Sequence, residues 1–219
     1  MKASAPINKE ELMQRANSLT GITIQQLANK LQRDIPESLV HAKGWFGTLL
    51  EDFLGAEAAS AAKPDFVDLD IELKTLPIDN NGKPKESTYI CVVQLDPKSL
   101  STWEQSLVKH KLNEVLWIPF EANKNTPIAL RRIGSPFLWK PDVEQEKQLK
   151  QDWQELSDMI VMGDIDKISS SIGNVLQIRP KAANAKSLTV DKNQSSDTLT
   201  LPRGFYLRPS FTQTLINAY

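Results

Sequence analysis

The sequence predicts an α/β protein of the α+β kind, in which a β-sheet is flanked by helices. Apolar side chains recur every three or four residues in several stretches, the longest within residues 143–162, which is the spacing of a helix with one buried face. Residues 88–95 and 115–120 are instead nearly continuous runs of apolar, β-branched and aromatic side chains, as in buried strands. With 219 residues, the chain is long enough for one domain with two lobes or for two domains, and we favour one domain over residues 1–219.

Composition restricts the classes of protein to consider. Hydrophobic residues make up 40% of the chain and charged residues 24%, and no apolar run approaches the ~20 residues that span a bilayer. Residues 1–8 lack the apolar core of a signal peptide. A single cysteine, Cys91, excludes an internal disulfide and suits a reducing compartment. We therefore expect a cytoplasmic protein without membrane contact, in which Cys91 is a buried apolar side chain.

Charge is unevenly distributed, although the net charge is only −1. From residue 179 to residue 219, six Lys and Arg stand against two Asp, a local excess of four positive charges. The segment of residues 181–186 is small and basic, so it could enter a DNA groove without steric obstruction. This local excess is the feature of the charge pattern that hints at a nucleic-acid partner.

Two helix starts are predicted near the N-terminus. Asn8, followed three residues later by Glu11, predicts the first. Thr23 with Gln26 predicts the second, for a helix over residues 24–32. The pair superficially resembles a helix-turn-helix, which would read DNA. The alternative is that the two helices simply pack, which we favour because the Thr-x-x-Gln-Leu-Ala pattern is common in helical hairpins.

A third, short helix is predicted to end at Gly55, with Trp45, Leu49 and Phe53 at four-residue spacing as its buried stripe. Glu51 lies among apolar neighbours in this helix. A carboxylate beside an apolar face needs a partner or a metal ion. The alternative for Glu51 is a solvated position on the polar face of the helix.

The stretch that follows carries the candidate chemistry. Residues 67–74 alternate strictly between apolar and charged side chains, which predicts a strand with one face on the core and the other facing water. Glu72 and Lys74 would then share a face, and a bend or hairpin could bring the carboxylate of Asp65 beside Glu72. Two carboxylates suit Mg²⁺, which binds one or two such groups together with water and substrate phosphate oxygens, as a phosphodiester-cleaving site requires. Lys74 could orient the attacking water, offset charge on the phosphate or accept a proton.

The alternative for this stretch is an amphipathic strand with a solvated charged face. The Pro-Asp, spacer, Glu-x-Lys pattern is short and degenerate, so on its own it is a weak indication of a nuclease site.

Elements further along the chain complete the sheet and its helices. Strands are predicted over residues 88–95, 115–120, 175–180 and 204–209, and a long polar segment joins the last two. The longest helix is predicted from Asp142 to Met162, followed by a short helix over residues 165–172 and by a C-terminal helix capped by Ser210.

Three polar residues precede the strand predicted over residues 115–120. Lys109 and Lys111 could face a phosphate. His110 could act as a base, but a lone histidine with no partner in the motif is more often an ordinary surface residue.

Several segments carry a resemblance to a known family. They are residues 43–51, Asp65 with residues 72–75, residues 110–112 with 115–119, residues 177–186 and residues 201–207. On these segments the chain resembles the MutH family of mismatch-repair endonucleases, within the restriction-endonuclease-like nucleases, over nearly its whole length. Residues 177–186 and 201–207 are far more specific than the catalytic pattern alone.

The resemblance implies a Mg²⁺-dependent endonuclease, with one or two ions per site, that nicks the unmethylated strand of hemimethylated GATC sites. It also implies a monomer that binds double-stranded DNA and is activated by the mismatch-repair protein MutL, and indirectly by MutS. The implied fold is a restriction-endonuclease-like mixed β-sheet flanked by helices, with two lobes around a DNA cleft.

The resemblance also implies roles for individual residues. The catalytic site would contain Asp65, Glu72, Lys74, Glu51 and Lys111, of which Asp65, Glu72 and Glu51 would bind the metal. The positions that match the family's contacts to the recognition sequence are Lys43, Arg179, Pro180, Lys181 and Tyr206. Tyr89 stands where the family has a different aromatic residue, which keeps stacking possible, and Lys186 is expected on the phosphate backbone. Tyr206, against adenine N6, is the candidate sensor of methylation.

Two other functions are left open by the sequence. A GATC-specific restriction enzyme would use the same site but would cut both strands, which usually needs two active sites. One motif in 219 residues makes nicking by a monomer more natural. A non-catalytic DNA-binding module built on the helix pair at residues 23–32 would leave Asp65, Glu72 and Lys74 unexplained.

Overall fold

The computed structural model of the chain describes residues 2–37, 44–57, 62–96, 101–181, 189–191 and 198–219. The chain divides into two compact units. The first unit comprises residues 1–86, 113–140 and 215–219, and the second comprises residues 87–112 and 141–214. A single nuclease domain with two lobes around a DNA cleft stays a prediction.

The first two helices begin where the sequence predicts them. α1 (Lys9–Asn17) is capped by Asn8, whose side chain accepts a hydrogen bond from the backbone N–H of Glu11 at 2.8 Å. α2 (Ile24–Leu31) begins with a capping box, in which the side chains of Thr23 and Gln26 each accept a backbone N–H of the other residue. These reciprocal bonds satisfy backbone groups that a helix start leaves unpaired.

The third helix, α3 (Trp45–Leu54), ends at Gly55 as predicted but buries a different face. Gly55 has a φ of 84°, which glycine adopts without strain, and a side chain there would collide with the carbonyl of Ser4. Trp45 and Phe53 of the predicted stripe are only partly buried. The fully buried residues are Phe46, Leu49, Leu50 and Leu54. Apolar residues occupy most of the circumference of this helix, so the spacing of three of them does not select the buried side.

The first unit contains a three-stranded sheet of order β1-β3-β4. β1 (Glu72–Ile78) is parallel to β3 (Val115–Glu121), and β3 is antiparallel to β4 (Phe137–Trp139). β4 was not predicted, because three residues are too few to show a period of two. The parallel pair confirms the mixed sheet and, with the flanking helices, the α/β class.

The core of the first unit joins the three helices to this sheet. It contains, among others, Leu12 and Ala16 of α1, Leu27 and Leu31 of α2, Leu50 of α3, and Leu116 and Ile118 of β3. Burial of Leu27 and Leu31 supports the interpretation that the N-terminal helix pair packs into the core. A DNA-reading role for this pair stays a hypothesis.

The second unit contains an antiparallel sheet of order β2-β8-β5. Its strands are β2 (Thr88–Val92), β5 (Leu176–Pro180) and β8 (Arg203–Leu207). The polar segment that was predicted to be a connection also contains a short antiparallel pair, β6 (Thr189–Asp191) with β7 (Thr198–Thr200). The sequence does not predict this pair, because each strand is only three residues long.

The helices that follow residue 140 agree with the predictions, with two corrections. α5 (Val143–Val161) has Asp142 as its cap, and all four residues of the predicted stripe are buried, Leu149, Trp153, Leu156 and Ile160. Residues 165–172 contain only a 3₁₀ turn, Ile165–Lys167, and not a helix. α6 (Pro209–Ala218) begins one residue before the predicted cap Ser210, and the carbonyl of Arg208 accepts the N–H of Phe211 and Thr212 at 3.1 Å each. Proline suits a first helical position because it has no N–H to leave unpaired.

The prediction that Cys91 is a buried apolar side chain is confirmed, and this residue lies on β2. None of the helices in the described ranges is long and apolar enough to cross a membrane.

Candidate functional site

The stretch predicted to be one continuous strand is bent. Val67–Leu69 forms a 3₁₀ turn, Asp70 has a φ of 55°, and β1 begins only at Glu72. The backbone groups of Phe66 and Ile71 pair across this turn, with N to O distances of 2.9 and 3.3 Å. The prediction of a strand from Val67 is therefore wrong. Aspartate tolerates the left-handed backbone that closes such a turn, so the alternating pattern is compatible with a bend.

The turn brings the chain back to Asp65. The Oδ2 atom of Asp65 accepts a hydrogen bond from the backbone N–H of Leu73 at 2.8 Å. The carbonyl of Asp65 accepts the N–H of Glu57 at 2.8 Å. Because Leu73 lies between Glu72 and Lys74, the carboxylate of Asp65 is fixed at the start of β1, as the predicted bend required.

Glu72 and Lys74 form an ion pair on the same face of β1. The Nζ atom of Lys74 lies 2.6 Å from Oε1 of Glu72. Glu72 is only 3% exposed, so the prediction that its face is open to water is wrong for this residue. A buried carboxylate is costly without a partner, and the ammonium of Lys74 provides one.

Glu51 lies on α3, and its carboxyl interacts electrostatically with the charges of Asp65 and Lys74. Burial raises the pKa of Glu51 above its ordinary value, and the negative charge of Asp65 raises it further. Lys2 and Lys74 act in the opposite direction. Glu51 is therefore a partly buried carboxyl whose charge interacts with those of Asp65 and Lys74, and its role as a metal ligand stays a prediction.

Replacement of Glu51 by glutamine is expected to raise the melting temperature at neutral pH. The pKa of Glu51 is higher in the folded chain than in the unfolded chain, so its ionised form opposes folding. This penalty is absent below the unfolded pKa and becomes complete as pH rises through the folded pKa. Thermal unfolding at pH 4 and pH 8 without divalent metal should show the gain at pH 8 only. The matched control is Glu57→Gln, at an exposed position just after α3. An equal gain at both pH values would contradict this account.

The carboxylates of Asp65, Glu72 and Glu51 are the candidate metal ligands. Carboxylate oxygens are the donors that Mg²⁺ prefers, and one or two suffice when water and phosphate oxygens complete the coordination. Among the residues that the structure describes, no group of three or more His, Cys, Asp and Glu side chains is arranged to hold a metal ion. Two of these carboxylates would suffice to hold a cation that keeps several waters, and the binding of such a cation here stays a prediction.

The three polar residues before β3 lie on the short helix α4 (Leu107–Lys111) of the second unit. Lys111 is 5% exposed. Lys109 pairs with Glu146 at 2.5 Å, and this bond lowers the pKa of the Glu146 carboxyl. Lys109 is thus engaged within the protein, which weakens its prediction as a phosphate ligand. His110 is exposed, as expected of a surface histidine.

A second group of predicted residues lies on one face of the sheet β2-β8-β5. Phe205 and Leu207 of β8 are buried on one side, and Tyr206 points to the other because side chains alternate along a strand. Tyr89 of β2 is paired with Tyr206, and their rings meet edge to face with centroids 5.4 Å apart. Tyr206 is therefore not a residue of the core.

Two cations lie over these rings. The guanidinium carbon of Arg179 is 5.9 Å from the centroid of the Tyr206 ring. Nζ of Lys181 is 4.5 Å from the centroid of the Tyr89 ring. We call Tyr89, Arg179, Lys181 and Tyr206 the aromatic–cation face. A positive charge over an aromatic ring is attracted by it, so the rings help to hold both cations on this side of the sheet.

Gly204 is a requirement of this face that the sequence analysis missed. A Cβ atom at position 204 would lie 2.8 Å from Cε2 of Tyr89 and 3.1 Å from Cε2 of Tyr206. Only glycine leaves room for both rings over β8. Gly204 is the first residue of the strand predicted over residues 204–209, and a glycine in a strand pattern is the signal that could have indicated such a close approach.

Asp152 is a second missed residue, and it fixes the strand that carries Arg179. Asp152 is 1% exposed, and its Oδ2 atom accepts the backbone N–H groups of Asn174, Val175 and Leu176 at 2.8, 2.6 and 2.8 Å. A carboxylate that accepts several N–H groups is strongly held. In the sequence, Asp152 falls on the polar face of the pattern that predicts α5, so nothing there indicated that its side chain is buried.

Of the three other residues predicted to contact DNA, the structure describes only Pro180. Pro180 is exposed at the end of β5, opposite Arg203 of β8. Lys43 and Lys186 lie outside the described residues.

Comparison with known proteins places these features in a family. The family described as "DNA mismatch repair enzyme MutH" matches residues 54–152. The chain is 50% identical to the DNA mismatch repair protein MutH of Serratia proteamaculans, over 96% of this chain and 93% of that protein. It is 49% identical to the MutH proteins of Klebsiella pneumoniae, over 98% of this chain and 93% of that protein, and of Escherichia coli K12, over 97% and 93%. The chain therefore belongs to the MutH family of DNA mismatch-repair enzymes, whose fold is restriction-endonuclease-like.

Proposed function

We propose that this chain is an endonuclease that nicks the unmethylated strand of hemimethylated GATC sites in the presence of Mg²⁺. The observation that carries the proposal is the fixed position of the Asp65 carboxylate beside the buried Glu72–Lys74 pair. Two acids and a lysine at the start of one strand suit hydrolysis of a phosphodiester. Family membership supports the same activity.

Each residue of this cluster has a proposed role. Asp65 and Glu72 hold the metal, with Glu51 as a further acid, and the chemistry that bound Mg²⁺ supplies is stabilisation of charge on the phosphate and the leaving 3′ oxygen. Lys74 is held by Glu72, so its ammonium is fixed where it can orient the attacking water and offset phosphate charge. Lys111 is proposed as a supporting cation.

The aromatic–cation face is proposed to bind the recognition sequence. Arg179 is exposed and can present its guanidinium to a guanine edge, the commonest specific contact of a protein with DNA. Tyr89, Pro180 and Lys181 contact the same sequence. Lys43 contributes a further contact to the recognition sequence, and Lys186 binds the phosphate backbone. The helix-turn-helix alternative finds less support, since Leu27 and Leu31 of α2 are buried.

Partner and compartment follow from the family and are proposals. MutL, acting downstream of MutS, is the proposed activator. We propose that the chain acts as a monomer in the cytoplasm.

A plasmid assay separates the proposed function from its alternatives. Covalently closed, unmodified GATC plasmid is incubated with the protein and Mg²⁺, and the products are resolved on a gel. Nicked circles support the proposal, and linear DNA would indicate a restriction enzyme that cuts both strands. A gel shift without cleavage would indicate a binding module.

Replacement of Tyr206 by serine is expected to narrow the rate differences among unmethylated, hemimethylated and fully methylated GATC. A phenol against adenine N6 distinguishes the free from the methylated amine by fit and by a hydrogen bond, an effect of about 1–3 kcal/mol. The nicking rate on unmethylated DNA should fall less than in an active-site variant. Rates on the three duplexes are measured together with a melting curve. An unchanged ratio of rates with a lowered melting temperature would refute the sensor role.

A further inference from the structure

Two hydroxyl groups lie beside the two cations of the aromatic–cation face. Ser87 immediately precedes β2, and Tyr89 follows two residues later, so both side chains point to the same side of the sheet. Arg179 and Lys181 are likewise two residues apart, at the end of β5 and just after it. β8 lies between β2 and β5, so hydroxyls and cations face each other across that strand.

Each cation donates a hydrogen bond to one hydroxyl. Nη1 of Arg179 donates to Oγ of Ser87 at 3.2 Å. Nζ of Lys181 donates to the hydroxyl oxygen of Tyr89 at 2.9 Å. The side chains cross β8 close to Gly204, where a Cβ atom would collide with the Tyr89 ring. The glycine thus permits the geometry that these two bonds require.

The hydroxyl of Ser87 also accepts a hydrogen bond from a buried residue of β5. Nε2 of Gln177 donates to Oγ of Ser87 at 2.8 Å, and Gln177 is only 3% exposed. A serine oxygen has two acceptor sites, and Gln177 and Arg179 occupy both. The position of the Ser87 hydroxyl is therefore set by a buried side chain and not by solvent.

We propose that the hydroxyls of Ser87 and Tyr89 are positioning groups, which hold Arg179 and Lys181 in the arrangement that binds DNA. This inference rests on the proposed function, because it needs a sequence-specific DNA ligand. Long cationic side chains lose rotational freedom when they bind, and a cation that is already ordered loses less. The two hydroxyls have separable effects. Ser87 acts through Arg179 on the reading of bases, and Tyr89 acts through Lys181 on overall affinity.

Two variants remove the hydroxyls and little else. Ser87→Ala and Tyr89→Phe each delete one oxygen, and the second keeps the ring that packs on Tyr206. Their controls are Ser101→Ala and Tyr219→Phe, which delete the same groups at exposed positions. Dissociation constants are measured by fluorescence anisotropy, without divalent metal, for a GATC duplex and for a duplex with one base pair of the site altered. Melting curves accompany each variant.

The expected results differ between the two variants. Ser87→Ala should lower the preference for GATC over the altered site by about three- to tenfold. Tyr89→Phe should weaken binding to both duplexes by about three- to tenfold and leave the preference unchanged. Ser87→Thr, which restores a hydroxyl, should restore the preference, and the controls should match the wild-type chain.

Several outcomes would overturn the inference. Wild-type affinity and preference in both variants would show that the hydroxyls position nothing. A lowered melting temperature with no rescue by Ser87→Thr would show a structural role only. If the wild-type chain itself has no preference for GATC, the proposed function fails and the inference fails with it. If the wild-type chain discriminates, and Ser87→Ala discriminates equally well while Tyr89→Phe binds both duplexes as tightly as the wild-type chain, the inference alone fails.

Discussion

Replacement of Asp65, Glu72 or Lys74 by alanine is expected to lower the nicking rate by about 10²- to 10⁴-fold, the range for loss of a group that stabilises charge or transfers a proton. DNA binding should change little, because these residues act on metal, water and phosphate and not on base edges. The expectation rests on the positions of these side chains, because the Asp65 carboxylate is hydrogen-bonded to the backbone of Leu73 and the Lys74 ammonium to Glu72. Nicking of closed plasmid and binding by anisotropy measure the two effects separately.

The bend before β1 provides a matched control. Asp68 and Glu72 belong to the same alternating series of charged residues in the sequence. Asp68, however, lies exposed on the 3₁₀ turn and not on the strand. Asp68→Ala should therefore nick at the wild-type rate. Glu72→Gln accompanies Glu72→Ala, because removal of a buried carboxylate leaves Lys74 without that partner and could unfold the chain. Wild-type rates in any of the three alanine variants would refute the assignment of the active site.

Arg179→Ala is expected to lower the preference for GATC over altered sites by about 1–3 kcal/mol, the value of one bidentate contact with a base. Arg179 is exposed over the Tyr206 ring, so the melting temperature should stay close to that of the wild-type chain. Competition binding with duplexes altered at each base pair of the site measures the preference.

Two comparisons test the role of Arg179. Arg33→Ala removes an exposed arginine paired with Asp52 on the first unit, and it should leave the preference unchanged. Lys186→Ala should weaken binding to all sequences alike and make the dependence on salt shallower by about one unit. Equal loss on every sequence for Arg179→Ala would assign this residue to the phosphate backbone.

Local patterns predicted the elements whose signals are local. Asn8, Thr23 and Asp142 cap helices through bonds to residues three positions later, and such bonds are visible in the sequence. The alternation at residues 67–71 was misleading for a physical reason. A short alternating stretch is compatible with a turn as well as with a strand. In the structure, the pairing of Phe66 with Ile71 closes a turn there.

The two functional clusters differ in how much the sequence could show. Glu72 and Lys74 are two residues apart, so their contact follows from strand geometry alone. Ser87 meets Gln177, and Gly204 meets the Tyr89 ring, only because β2, β8 and β5 are neighbours in the sheet. No local pattern connects positions so distant along the chain, and strand order cannot be read from periodicity.

Strand-resolved cleavage of a hemimethylated GATC duplex tests the proposed function most directly. Each strand carries a different end label, and the products are compared with and without Mg²⁺ and after addition of MutL. The account predicts cleavage at GATC in the unmethylated strand alone, dependent on Mg²⁺, accelerated by MutL and lost in Lys74→Ala. Equal cleavage of both strands, or cleavage that persists in Lys74→Ala, would contradict it.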